Sequence, residues 1–318
     1  MITLEGVSKR YGTVYALKDV SFSAPKGQIL GLLGQNGAGK TTALNILTGY
    51  LSATQGKVSI DGYDILKDPR EAKRRIGYLP EQPPLYDEMT VESYLRFCCR
   101  LKEVEKSSVS RHVAEIVQIT DLEQAAKRKV GNLSKGYRQR VGIAQALCGA
   151  PEVIILDEPT VGLDPRQVVE IRTLIKNLGE KHTVIFSSHM LHEIQSLCRR
   201  VVILHKGRMI READMEELTG AQKGILRLRV SIRMKEKPLL PALQGLDCVQ
   251  RVEVLPTPNV EITEAILECK GDASPQEQLF TLLSGLQAPI LRLTPLYNTL
   301  EEVFLRATGH GEDVPGKD

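Results

Sequence analysis

The stretch Gly34, Gln35, Asn36, Gly37, Ala38, Gly39, Lys40, Thr41 and Thr42 sets glycines, a lysine and two hydroxyls in the spacing G-x-x-x-x-G-K-T. That spacing builds a cradle for the phosphates of a nucleoside triphosphate. The glycines let successive N–H groups turn inward. Lys40 brings a point charge toward the β- and γ-phosphates, and Thr41 brings a hydroxyl for Mg²⁺. A second chemical pair follows an apolar run at 153–156: Asp157 and Glu158. Unpaired carboxylates are costly at the end of so apolar a strand. Asp157 opposite Thr41 suits the Mg²⁺, and Glu158, one residue on, is placed to polarise an attacking water.

These side chains need elements to hold them. The apolar run 28–33 predicts a buried strand. Ala43, Leu44 and Leu47 share one face of a helix that starts after the glycines. Strand, glycine loop and helix put phosphates on a helix N-terminus, where free N–H groups and the dipole favour anions. The separation between Lys40 and Asp157 exceeds what a minimal βα unit needs, so an inserted subdomain is expected. Within it, Ser134 is a natural N-cap for a helix whose apolar positions are Val141, Ala144, Leu147 and Cys148. Gly136 would let backbone approach a ligand, giving a second helix N-terminus able to receive a phosphate.

In this order the motifs resemble those of the ATP-binding subunits of ABC transporters, over residues 1 to about 218. The resemblance makes 34–42 the Walker A loop, 133–137 the signature motif, and Asp157 with Glu158 the Walker B carboxylate and catalytic base. It implies that Tyr11 stacks on adenine, that Asp164 in Gly162-Leu-Asp-Pro165 belongs to the loop crossing the dimer, and that His189 senses the γ-phosphate. Without that order Tyr11 would read as a surface aromatic, Asp164 and Pro165 as a turn, and His189 as a loop histidine. Two positions depart from the family pattern. Lys135 and Tyr137 replace a glycine and a glutamine of the signature, and Glu81, followed by Gln82, stands where a metal-holding glutamine is usual. Both departures resemble a branch of exporter subunits that includes gliding-motility and multidrug types.

The resemblance implies an ATPase of a P-loop α/β fold that uses ATP and Mg²⁺. It implies a homodimer in which each site takes Ser134 and Gly136 from the other copy, and integral membrane permease subunits as partners. The subunit would then be cytoplasmic and peripheral on the inner face of the membrane. The alternative is a soluble ABC-type ATPase acting on nucleic acid or ribosomes. It fits less well, because the chain has neither a long coiled-coil insertion nor two ATPase modules. A small-molecule kinase would leave 133–137 and His189 without a role.

Bulk properties agree. With 42 Lys and Arg against 39 Asp and Glu in 318 residues, charge makes no case for nucleic-acid binding. No stretch approaches the roughly 18 apolar residues of a membrane helix, and the start Met-Ile-Thr-Leu-Glu shows no signal peptide. The cysteines form no C-x-x-C pair, which argues against metal ligation and disulfides and for a reducing compartment.

The expected organisation is an ATP-binding domain at 1–218 with a helical subdomain at about 85–150, an accessory α+β domain at 219–308 and a loose tail at 309–318. Helices are expected from Thr90 with the stripe Val91, Tyr94, Leu95 and Cys98, and around Val109, Val113, Ile116 and Val117. In the accessory domain, Leu226, Leu228, Val230 and Ile232 alternate with Arg227, Arg229, Ser231 and Arg233. That is a strand with one apolar and one basic face, open to an anionic partner or simply solvated. A helix at 238–246, strands at 249–254 and 260–269, a helix at 274–286 with Leu279, Leu282, Leu283 and Leu286, and a strand at 290–293 complete a β-α-β-β-α-β order. That order predicts a ferredoxin-like fold. Asn298 with Glu301 would cap a last helix.

Overall fold

The structure is a computed structural model and describes residues 1–215, 225–270 and 274–296. The chain divides into two compact units, Met1–Met215 and Glu216–Asp318. The expected helix after Asn298, the tail at 309–318 and the junction at 218–219 lie outside the described residues.

The first unit contains strands β1 (Ile2–Tyr11), β2 (Val14–Ala24), β3 (Ile29–Leu33), β4 (Gln55–Ile60), β5 (Tyr63–Asp64), β6 (Ile76–Leu79), β7 (Val153–Asp157), β8 (Thr183–Ser188), β9 (Arg200–His205) and β10 (Arg208–Asp214). They form an antiparallel sheet in the order β2-β1-β4-β5 and a mostly parallel sheet in the order β10-β9-β3-β8-β7-β6. Every residue of β3, β7 and β8 is buried, the continuous apolar pattern of strands covered on both faces.

Register decides where the chemistry collects. Leu33 lies beside Ser188, and Asp157 beside Ser187. Three parallel strands therefore end on one edge and deliver the glycine loop, the carboxylates and the His189 loop together, as open α/β sheets do with their ligand sites.

The helices of this unit are α1 (Lys40–Leu47), α2 (Pro69–Arg74), α3 (Val91–Leu101), α4 (Val109–Ile119), α5 (Lys135–Leu147), α6 (Pro165–Gly179) and α7 (Leu191–Leu197). Helix α1 buries Ala43, Leu44, Ile46 and Leu47 in a core shared by both sheets, at about 1.5–3 kcal/mol for a fully buried leucine. The inserted subdomain is α3, α4 and α5. Thr90 caps α3 by accepting from the Ser93 N–H, and the predicted stripes of α3 and α4 are buried in full. All six cysteines are free and buried.

The second unit runs β11 (Ile225–Ile232), α8 (Glu236–Gln244), β12 (Val249–Leu255), β13 (Thr263–Lys270), α9 (Pro275–Gly285) and β14 (Ile290–Leu296). Its sheet has the order β12-β13-β11-β14 with every neighbour antiparallel. Leu228, Val230 and Ile232 point to a core with Leu239, Leu243, Leu267, Leu279 and Leu283.

Three details differ from expectation. Strand β13 starts at Thr263 rather than 260, because the Ile262 N–H turns back to the Asn259 carbonyl. Leu286 is exposed, since α9 has ended at Gly285. The basic face of β11 is also not a free cationic surface: Arg227 pairs with Glu268 at 3.3 Å and Arg229 with Glu264 at 2.7 Å.

Candidate functional site

The glycine loop leaves β3 and enters α1 through Gly39, whose φ of 104° suits only glycine. A Cβ there would lie 2.7 Å from the Ala16 carbonyl oxygen. Gly34 is equally constrained from behind, since its Cβ would meet the Leu204 carbonyl oxygen at 2.6 Å. Ala38 is buried and braces the turn: its N–H donates to the Gln35 carbonyl, and its own carbonyl accepts from Gly207. Gly34 and Ala38 thus shape the loop. Gln35, Asn36, Gly37, Gly39, Lys40, Thr41 and Thr42 line a cavity of about 390 Å³, together with Ala16, Glu81, Glu158, Val161 and His189.

Lys40 is buried and folds over the loop. Its Nζ donates to the Gly34 carbonyl at 2.7 Å and to that of Gln35 at 3.3 Å. It also stands 3.2 Å from Glu158 Oε1, an ion pair by distance whose atoms are not aligned as a hydrogen bond. The other carboxylate oxygen of Glu158, Oε2, is 2.8 Å from His189 Nδ1. Glu158 sits at φ 48°, a conformation that costs a non-glycine residue roughly 1–2 kcal/mol. Strain of this kind clusters at functional sites.

Asp157 is fully buried at the end of β7. Its Oδ1 accepts from Ser187 Oγ at 2.6 Å, and its Oδ2 has no partner. Burial holds its carboxyl above the ordinary carboxylate range, against the Ser187 hydrogen bond and the nearby Thr41 hydroxyl, which favour the ionised form. A buried, unpartnered carboxylate oxygen beside a threonine hydroxyl fits a divalent cation. Among the described residues no larger cluster of His, Cys, Asp and Glu offers a metal site. Glu81 lines this cavity and also a neighbouring groove of about 770 Å³, walled by Asn45, Tyr78, Cys98, Lys102 and Gln145.

Other predicted site residues stand outside the cavity. Tyr11 is exposed at the end of β1, with the Lys9 ammonium 5.3 Å from its ring centre. Asp164 caps α6, accepting from the Gln167 N–H at 2.9 Å. Ser134 occupies the N-cap position of α5 but makes no side-chain cap bond, so its exposed hydroxyl is uncommitted there. Gly136 is buried beneath Gln167, whose amide would lie 2.6–2.8 Å from an added Cβ. Within one chain, the missing side chain of Gly136 makes room for α6. The substituted Lys135 lies across Gly162, its ammonium in the space that a Cβ there would need.

Two serines outside the motifs position the site residues. Ser187 Oγ accepts from the Glu158 N–H at 2.9 Å while it donates to Asp157, so one hydroxyl sets both carboxylates. Ser188 Oγ donates to the buried Glu193 at 2.6 Å and accepts from the Met190 N–H at 2.9 Å, which pins the turn that carries His189. The signal was a hydroxyl pair closing an apolar strand, with a glutamate five residues on in the next helix.

The chain is similar to known proteins. A protein-family model described as ABC transporter matches residues 17–161. The ABC transporter ATP-binding protein NatA of Bacillus subtilis is 38% identical over 70% of this chain and 93% of its own length. The linearmycin resistance ATP-binding protein LnrL of Bacillus subtilis is 32% identical over 97% of this chain and 98% of its own. The bacitracin transport ATP-binding protein BcrA of Bacillus licheniformis is 32% identical over 98% of both. Among solved structures, the dimeric bacterial ABC transporter cassette MJ0796 superposes with a TM-score of 0.62 at 30% identity, over 68% of this chain and 99% of that one. The same cassette in a post-hydrolysis state with ADP and Pi superposes equally well.

Proposed function

The chain belongs to the ATP-binding subunits of ABC transporters, and on that premise we propose that it is the ATP-hydrolysing subunit of an exporter. Two copies close over two ATP molecules and pass the movement to a separate integral membrane permease. The relatives named for linearmycin resistance and bacitracin transport support the exporter reading.

The observation that carries the chemistry is the Glu158 carboxylate held between Lys40 and His189 at the mouth of the glycine loop. The loop N–H groups and Lys40 bind and orient the phosphates. Glu158 accepts the proton of the attacking water, and His189 fixes the carboxylate's orientation. Thr41, Asp157 and Glu81 would hold Mg²⁺, which when bound offsets the negative charge of the phosphates. Ser134 and Gly136 of a second copy would present the α5 N-terminus to the triphosphate, and Asp164 would lie at the contact between the copies. Tyr11 would stack on the adenine. The groove beside Glu81 would receive the permease. Among the described residues no helix is long and apolar enough to cross a membrane, and we place the subunit at the inner face of the membrane through that partner.

We read the second unit as a ferredoxin-like accessory domain. Its element order and its fully antiparallel sheet support this.

The test is Glu158→Gln. This variant should bind ATP, hydrolyse it poorly and accumulate as a dimer under ATP and Mg²⁺. A variant that stays monomeric at saturating nucleotide overturns the sandwich.

A further inference from the structure

We propose that Cys98 and Cys148 form an oxidisable dithiol: a hydroperoxide joins them in a disulfide that ties the end of α3 to the end of α5. The two helix ends meet at one turn. Cys148 is the C-cap of α5, with φ −59° and ψ 129°, so the chain leaves the helix there. Its thiol lies 3.8 Å from the Leu95 carbonyl oxygen of α3, one turn before Cys98 and Cys99, and it meets the thiols of both. The following Gly149 stands at φ 86° and packs on Lys102, where a Cβ would lie 3.1 Å from the Lys102 Cβ. Its N–H donates to His112 Nε2 of α4 at 3.0 Å. Three helices therefore hold the turn that carries Cys148.

The three thiols differ in access. Cys99 and Cys148 are fully buried, whereas Cys98 is 8% exposed and lines the groove of about 770 Å³ beside Glu81. Lys102 lines the same groove, its ammonium held by the carbonyls of Lys73 at 2.9 Å and Ile76 at 2.6 Å. Among the described residues Lys102 is in no ion pair, and its charge acts on Cys148. The Cys148 thiol holds Cys98 below its ordinary value, against burial. Cys148 is itself held above its ordinary value by Cys98, Cys99 and burial. A thiol with thiolate character at a cavity wall is the one that an oxidant meets first. Neighbouring positions of a helix do not face each other, which leaves Cys148, not Cys99, to resolve Cys98.

The chemistry balances with the hydroperoxide as oxidant. The Cys98 thiolate attacks the terminal oxygen, the O–O bond breaks, and the departing alkoxide or hydroxide takes up the thiol proton. Cys98 is then a sulfenic acid. The Cys148 sulfur attacks the Cys98 sulfur, the S–S bond forms as the S–O bond breaks, and hydroxide leaves with the Cys148 proton as water. The two thiols lose two electrons and the hydroperoxide gains them. None of the three thiols lines the glycine-loop cavity, so the reaction stands apart from ATP hydrolysis.

The full-length chain, reduced and then freed of reductant, is treated with hydrogen peroxide without nucleotide. It is then alkylated after denaturation and mapped by tandem mass spectrometry. Cys98 and Cys148 should appear in one disulfide-linked pair of peptides, with Cys99 alkylated, and dithiothreitol should return both thiols. Circular dichroism of the oxidised chain should match that of the reduced one. Cys148→Ser should stop at the Cys98 sulfenic acid, which dimedone traps, and Cys99→Ser should leave the disulfide unchanged. A folded wild type in which Cys98 and Cys148 both stay reduced overturns the proposal. So does a disulfide that takes Cys99 in place of either, or a Cys98 that is oxidised without joining Cys148.

Discussion

His189 Nδ1 lies 2.8 Å from Glu158 Oε2, on a carboxylate whose backbone stands in the left-handed region at φ 48°. The strand end and the histidine loop therefore fix one acid group from two sides. Replacing His189 by Ala should leave ATP affinity nearly unchanged and lower kcat by about 10²–10⁴-fold, the usual worth of a positioned general base. Steady-state phosphate release beside calorimetric ATP binding checks this. An equal loss in both would move His189 from orienting Glu158 to binding nucleotide.

The histidine turn is itself held by Ser188 and Glu193. Glu193→Ala leaves the Ser188 hydroxyl without its buried acceptor, at a cost of about 1–3 kcal/mol. It should reduce kcat less than His189→Ala does, with KM unchanged. Urea unfolding and initial rates on the same variant separate the two effects.

Asp157 makes the stability of the nucleotide-free protein pH-sensitive. Burial raises its pKa in the folded state above the unfolded value. Its stabilising contribution is therefore complete below the unfolded pKa and is lost as pH rises through the folded one. Asp157→Asn removes that loss. Without nucleotide the variant should match the wild type at acid pH and melt higher at pH 8, by roughly 2–4 °C for each kcal/mol relieved. It should also lose the additional stabilisation that Mg²⁺ confers with ATP. Scanning calorimetry across pH tests both.

At Gly39 the constraint is geometric. Alanine at φ 104° would place a methyl 2.7 Å from the Ala16 carbonyl oxygen. Gly39→Ala should cost about 1–3 kcal/mol in strain and abolish ATP binding. Denaturant unfolding with fluorescent-nucleotide titration reads both quantities.

Much of this was legible because local chemistry and tertiary need coincide. The apolar runs at β3 and β7, each ending in its chemical motif, read as buried strands and are so, and Thr90 announces α3 through its own side chain. What stayed hidden depends on neighbours distant in sequence. Within one chain the bare Cα of Gly136 makes room for Gln167 of α6, a neighbour thirty-one positions on that the residues around 136 do not announce. The arginines of β11 read as a basic face until β13 sets Glu264 and Glu268 beside them. Ser187 shows in the sequence only as a hydroxyl closing an apolar strand; that it serves both Asp157 and Glu158 arises from the pairing of β7 with β8.

The central claim is that each ATP site is completed by a second copy, and complementation tests it most directly. Lys40→Ala, defective in the glycine loop, is coexpressed with Ser134→Arg, defective at the α5 N-terminus, and the mixed dimer is purified through two different tags. One of its two sites then combines an intact Lys40 with an intact Ser134. The mixed dimer should hydrolyse ATP although either variant alone does not. A mixed dimer as inactive as its parents would mean that each chain builds its site alone.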